Sequence, residues 1–535
     1  MKTRLFSAAL TALSILHSAL GGSATWKLNP INDQWNDPAN WTPNTVPNGP
    51  DDTATFDVSN VTDVSIRPVI EVEGIVFNAT ASAFTISTNS QLTISGTGIA
   101  NSSGLEQSFL IGPPGVVLQF TGNATAGSGI TFTMGTAFSA GQTKFFDDAR
   151  AGTSTFVNLG GFPSGETEFF DRSSADHGIF INEPSSEGGF GGAMTFADES
   201  TADDGTFVVN GGTIDFLGSS NAGNGNFTIA GGVNFFDTAS AANGIFTFND
   251  GGGLGFSSAS TAGNATLIFN GDGGGMLFAD DSTGGTARIE VFDSTALEIN
   301  FHNRPGVTIG SVEGDGLVHL GPRDLTVGSN DLSTTFSGII ENGGALNKIG
   351  AGTFTLTGAN TYTGGTTISG GILLVSNSSG SGTGTGAVSV NSGTLGGSGI
   401  LKGAVTVGTN TDVQASLAPS KGVKKPATLT IQGALTLDDD STYIYKLDTK
   451  KPASDEVVAN GVTIDSGAKF SLRRSGTNAL TLGQLFTVIS NTAATPIAGT
   501  FHNLPSGKIL TVNGSKLQAS YTGGDGNDLT LTVVP

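Results

Sequence analysis

The sequence predicts an all-β protein, a right-handed parallel β-helix (solenoid) closed by an N-terminal cap and continued by a β-rich C-terminal region. Three observations carry this. A theme of two short apolar strands recurs between residues 145 and 292, glycine pairs punctuate it, and helical periodicity is nowhere sustained after the first residues. The composition agrees, with 81 glycines, 34 phenylalanines and only 13% charged residues in 535. Ordinary α/β globules do not look like this.

In chain order, residues 1–24 read as a secretory signal peptide. Lys2 and Arg4 form a positive start, an apolar stretch runs from Leu5 to Leu20, and Gly22, Ser23 and Ala24 offer a cleavage point. That stretch is too short and too broken by polar residues to span a bilayer, and no later run reaches the roughly 20 apolar residues a membrane helix needs. The expected location is therefore secreted or cell-surface. Cysteine is absent, so a chain bound for an oxidising compartment must hold itself together by packing and backbone pairing.

Residues 25–60 hold all three tryptophans, Trp26, Trp35 and Trp41. A solenoid must cover the apolar end of its core, which makes these residues a cap; a carbohydrate-stacking platform is the alternative. Residues 61–342 are assigned to the β-helix, with rungs of about 20 residues. The leading phenylalanines are taken as Phe146, Phe170, Phe196, Phe216, Phe236, Phe256 and Phe278, at spacings of 24, 26, 20, 20, 20 and 22. The second strand of each rung begins 10 or 11 residues later, at Phe156, Phe180, Phe207, Phe227, Phe246, Leu267 and Ile289. A strand pair this short cannot bury its apolar face alone, whereas rungs stacked about 4.8 Å apart bury a continuous column. Phe196, Phe216, Phe236 and Phe256 are thus expected in one interior column. Glycine pairs such as Gly211-Gly212 and Gly231-Gly232 serve the corners.

At residues 343–375 the repeat changes to GGALNKIGAGTFTLTGANTYTGGTTISGGILLV. Leu346, Lys348, Gly350, Gly352, Thr353, Leu356, Gly358, Asn360, Thr361, Tyr362, Gly364 and Thr366 follow a fixed pattern, and this segment resembles the autotransporter-associated β-strand repeat, also called the passenger-associated transport repeat. The resemblance implies a bacterial β-helical passenger of the kind found in adhesins and surface scaffolds. Residues 376–535 look like the usual continuation, in GTLGGSGILKGAVTV and SYTGGDGNDLTLTVV, and lack the alternating strands of roughly 9–11 residues that a translocator barrel uses. Release and attachment by a separate surface-anchoring partner are the two alternatives left open.

The net charge is −22. Before Leu401 the chain carries 11 basic and 35 acidic residues, against 12 and 10 after it, so its long N-terminal part repels nucleic acid, and no nucleic-acid partner is expected. Asp147, Asp171, Asp198, Asp237 and Asp280 follow the leading phenylalanines and read as a solvated acidic face, with weak cation binding as the alternative. They recur rung after rung, whereas an active site is local. His177, His302, His319 and His502 are isolated, and no H-E-x-x-H motif or G-x-S-x-G elbow is placed for catalysis. GGDGNDLTL (523–531) is similar to a Ca²⁺-binding nonapeptide but occurs once, and a hairpin turn is the preferred reading. The basic pairs Lys424-Lys425, Lys450-Lys451 and Arg473-Arg474 read as turns. No catalytic, cofactor-binding or metal residue is assigned. The expected function is non-catalytic, structural or adhesive, toward a cell-surface or glycan ligand. The alternative is a polysaccharide lyase or hydrolase on the same β-helix, recognisable by acidic residues gathered with Lys or Arg in one groove.

Overall fold

The computed structural model describes residues 21–135, 141–185, 188–249, 251–411, 413–422 and 425–535. The signal peptide expected at 1–24 lies, up to residue 20, outside the described residues. The chain winds as a parallel β-helix in which successive strands alternate between two ladders. One is a 16-stranded sheet that starts at the paired segments Trp41–Thr42 and Ala24–Trp26, passes through Gly49–Phe56 and Ile70–Phe77, and ends at Ile339–Glu341. The other takes the intervening strands, from Asp63–Ile66 and Thr85–Thr88 through Gly284–Val291 to Gly306–Gly314. A third side is made by single bridging residues, Arg150 to Ser174 to Thr201 to Asn221 and onward. Buried alanines at the adjacent corners, among them Ala175, Ala202 and Ala222, leave room for that tight passage.

Two aromatic columns fill the interior. In the first ladder Phe120, Phe145, Phe169, Phe196, Phe216, Phe235, Phe256 and Phe278 stack nearly parallel, with adjacent centroids 4.5–5.1 Å apart. In the second, Phe132, Phe156, Phe180, Phe207, Phe227 and Phe246 do the same at 4.2–5.0 Å. The columns meet edge to face, as Phe196 meets Phe207 at 6.0 Å and 74°, so both favourable ring geometries are used at once. The second-strand residues expected from the repeat are all in mutual register.

The first column corrects the expectation in the three rungs that carry two consecutive phenylalanines. Phe145, Phe169 and Phe235 point inward, and Phe146, Phe170 and Phe236 are only partly buried. A one-residue slip moves a side chain to the opposite face of a strand. The choice is set at the corner, where the residue two positions after the inward phenylalanine has a positive φ: Asp147, Asp171, Asp198, Gly218, Asp237, Ser258 and Asp280. With Phe236 inside, that position would fall on Thr238, a β-branched residue that strongly disfavours the left-handed region.

The tryptophans close the N-terminal end. Trp26, Trp35 and Trp41 pack on one another and on Phe56 at 5.0–6.1 Å. Each indole N–H donates to a backbone carbonyl, of Val61, Pro47 and Trp35 respectively. The rings are 0–1% exposed, so no face is left for a sugar, and the stacking-platform alternative gives way to the cap.

Beyond residue 343 the winding continues through Leu346–Lys348, Thr353–Leu356, Thr366–Val375 and Val388–Gly396. It ends in a seven-stranded sheet whose last strands, Leu485–Asn491, Asp528–Val534, Ser515–Gly523 and Ile509–Val512, pair antiparallel.

Candidate functional site

The acidic column is structural. Each of its five carboxylates accepts a hydrogen bond from the backbone N–H at the equivalent corner of the preceding rung. Asp147 takes the N–H of Gly122, Asp171 that of Asp147, Asp198 that of Asp171, Asp237 that of Gly218 and Asp280 that of Ser258, at 2.9–3.2 Å. Asp is suited to this place because it tolerates positive φ and carries its own acceptor. All five aspartates are exposed, as expected of a solvated face, and each also clamps one rung to the next.

A different cluster gathers acid with base. In two adjacent strands of the first ladder, Gly141–Phe145 and Glu166–Phe169, Gln142 lies opposite Glu166 and Lys144 opposite Glu168. Gln142 Nε2 donates to Glu166 Oε2 at 2.9 Å, and Lys144 is ion-paired with Glu168. Burial, then the neighbouring Glu168 charge, pushes the Glu166 carboxyl above the ordinary glutamate value. The next outward positions are Ala193 and Thr195, then Thr213 and Asp215, so the paired carboxylates belong to one rung. Four residues before Glu166, the loop leading into it exposes Phe162, and the matching loop of the next rung exposes Phe190; they are 76% and 65% accessible, with rings 5.9 Å apart. Gly161 and Phe190 exchange two backbone hydrogen bonds of 2.9 Å, which tie the loops together. Sequence reasoning missed this constellation. Its signal was the spacing, since the rungs of 24 and 26 residues carry the extra residues from which these loops are built.

A raised carboxyl pKa has a defined consequence. Between the ordinary glutamate value of about 4.3 and the raised one, the folded protein holds a proton that the unfolded chain has released. The stabilisation is full below the ordinary value and is lost as pH rises through the folded one. Glu166→Gln is expected to flatten that part of the stability–pH curve, as read by urea titrations from about pH 4 to 7. An unchanged slope would place the proton elsewhere.

The remaining candidates are dispersed. His177 is exposed beside Asp176 at 2.6 Å, which raises its pKa. His302 is buried between the carbonyl oxygens of Ser282 and Asn303, and His319 pairs with Glu341 at 3.0 Å. His502 is exposed in the C-terminal region. Arg288 bridges Glu290 and Glu313. Among the described residues no three His, Asp or Glu side chains are grouped to hold a metal ion. GGDGNDLTL forms a hairpin between Ser515–Gly523 and Asp528–Val534. Its Asp528 accepts the backbone N–H of Asn491 at 2.8 Å. Lys450-Lys451 sits in a turn, whereas Arg473-Arg474 lies within the strand Lys469–Ser475, a correction of the turn expected there. Lys424 is outside the described residues. A shallow open groove of 420 Å³ lies beside Leu105, Glu106, Thr131 and Thr155; it contains one carboxylate and no base.

In the segment 343–375 the patterned residues are devices of the rung. Lys348 is buried, and its ammonium donates to the carbonyls of Ile349, Gly350 and Gly370. Asn360 accepts the N–H of Ile340 at 2.8 Å and donates to the carbonyl of Gly382 at 2.7 Å, so it ties three rungs. Tyr362 is buried with its hydroxyl 2.6 Å from that of Thr366. A Cβ on Gly358 would stand 1.9 Å from the carbonyl oxygen of Gly338, which only glycine permits.

Residues 346–375 match the family model of the passenger-associated transport repeat. Among solved structures the chain is similar to the crystal structure of the Haemophilus influenzae Hap adhesin, at 11% identity and a TM-score of 0.28, over 90% of this chain and 63% of that one. No curated protein matches the chain. Among the described residues no helix is long and apolar enough to cross a membrane.

Proposed function

We propose that this chain, whose β-helix includes a passenger-associated transport repeat spanning successive rungs, is an exported, non-catalytic surface protein with a structural or adhesive role. The observation that carries the reading is how its recurrent acidic residues are used. The acidic column serves the fold through backbone hydrogen bonds between rungs, and the patterned residues of the transport repeat hold rungs together. A stiff rod results, on which loops are the natural contacts. The loop pair bearing Phe162 and Phe190 is the adhesive contact, because exposed rings bury large apolar area against a cell-surface or glycan ligand. A separate partner holds the rod at the surface, and nucleic acid is excluded by the acidic charge.

Binding of labelled protein to whole cells and to a glycan array tests this. Phe162→Ala with Phe190→Ala is expected to reduce retention at least about tenfold, the effect of roughly 1.4 kcal/mol, without changing thermal unfolding. Equal retention by the double variant would move the contact elsewhere.

One observation favours the second reading, a polysaccharide hydrolase: Glu166, with a raised pKa, stands beside the lysine-paired Glu168, the acid-plus-carboxylate combination that glycoside hydrolysis uses. The protein is incubated with neutral and acidic polysaccharides, with and without Ca²⁺, and new reducing ends and unsaturated products are measured. No turnover is expected. Turnover that survives repurification and is abolished by Glu166→Gln or Glu168→Gln would replace the non-catalytic reading.

A further inference from the structure

The outer face of the second ladder is uniform over a long stretch. Nine successive strands, from Thr85–Thr88 to Thr266–Phe269, pair in parallel without a register shift. Their outward residues form two files, one from Thr85 to Thr266 and the other from Ser87 to Ile268. Of these eighteen side chains fourteen are Thr, Ile or Val, eight of them Thr, and none is charged or aromatic. Within the two files charged side chains begin only at Asp63 before them and at Arg288 and Glu290 after them, and one neighbouring carboxylate, Glu106, accepts a hydrogen bond from the Thr131 hydroxyl. On the first ladder, neighbouring rungs turn Lys144, Glu166, Glu168 and Asp215 outward.

The face is also stiff. β-branched side chains have restricted χ1, and a flanking file is locked by side-chain hydrogen bonds, Asn224 to Asp204, Asn243 to Asn224 and Asn264 to Asn243, at 3.0–3.1 Å. The result is a register-matched grid, mostly of methyl and hydroxyl groups, with a repeat of about 4.8 Å along the rod and about 7 Å across it.

The chemistry and size of the grid select its occupant. Nine rungs of two files span about 38 Å by about 12 Å, and this falls well short of the roughly 800 Å² per partner that a stable protein interface buries. Two acidic rods would also repel each other at this separation. Without aromatic rings the grid cannot stack on sugars; with Glu106 as its one neighbouring carboxylate it gathers no cluster for a cation, and with no basic residue in its files it offers nothing to lipid phosphates or nucleic acid. What it matches is a lattice that presents hydrogen-bonding groups and hydration cages at the same kind of repeat, because water around fixed methyl groups is already ordered and hydroxyls at fixed spacing anchor it. We propose that this face binds ice, holding the first water layer in register with the crystal surface.

The test uses the full-length purified protein. It is exposed to a slowly growing ice hemisphere, and the fraction incorporated is measured beside crystal shape and the gap between melting and freezing points. Incorporation, faceted crystals and a measurable gap are expected. The double variant Thr206→Lys with Thr228→Lys adds two outward charges and should be excluded from the ice to the level of an unrelated acidic protein. Thr195→Lys, on the outer face of the first ladder, should behave as wild type. Circular dichroism and proteolysis identify any variant that has lost its fold; in that event Thr247→Lys alone is the substitute. Exclusion of the wild-type protein from ice, or incorporation of the folded lysine variants, overturns the proposal. So does a wild-type dimer in sedimentation that the lysine variants abolish, since the face would then be a self-association surface.

Discussion

Phe235→Ala is expected to destabilise its rung by about 3–5 kcal/mol, whereas Phe236→Ala, one residue along, costs about 1 kcal/mol or less. Phe235 stacks between Phe216 and Phe256 at 4.5 and 4.9 Å and meets Phe246 edge to face, so truncation opens a cavity lined by three other rings. A chain folded as a continuous stack cannot close that cavity without shifting both neighbouring rungs, and close-packed interiors resist such shifts. Because rungs couple mainly to their neighbours, the damage should appear first as protease sensitivity and faster amide exchange between about residues 213 and 260. Phe236 is only partly buried at the strand's end, and its loss leaves the column intact. Equal effects of the two substitutions, or the reverse order, would contradict the register.

The second large effect belongs to Asn360. Its side chain accepts from the Ile340 N–H and donates to the Gly382 carbonyl, and both bonds are buried. Alanine would strand one donor and one acceptor away from water, at about 1–3 kcal/mol each. Asn360→Ala is therefore expected to cost about 2–6 kcal/mol and to remove the exchange protection of the Ile340 amide specifically. Asn360→Asp keeps the acceptor, loses the donor and introduces a buried charge, and should destabilise more at neutral than at acidic pH. Retained protection at Ile340 in the alanine variant would mean that the clamp is not what orders this rung.

These two residues also show what can be read along the chain. The rung period, the second-strand column and the tryptophan cluster of the N-terminal end were legible, because apolar alternation, glycine corners and clustered tryptophans are local patterns. The inward member of Phe235-Phe236 was legible in principle and missed: the period alone does not choose between consecutive phenylalanines, but the left-handed corner two residues later does. Asn360 was visible as part of a motif, though its partners were not.

The sequence by itself therefore determined that this is a β-helix of roughly 20-residue rungs, since each rung has apolar faces that only stacking can bury. Tertiary structure decided everything that passes between rungs. It made the exposed Asp147, Asp171, Asp198, Asp237 and Asp280 acceptors for the preceding corner as well, and brought Lys144, Glu166 and Glu168 into one patch and Phe162 against Phe190. It also aligned eighteen uncharged side chains into a single grid. The physical reason is that such partners stand 19 to 27 residues apart along the chain, a separation set by how long each rung's loops are. Only the folded stack converts that variable distance into a constant strand spacing of about 4.8 Å.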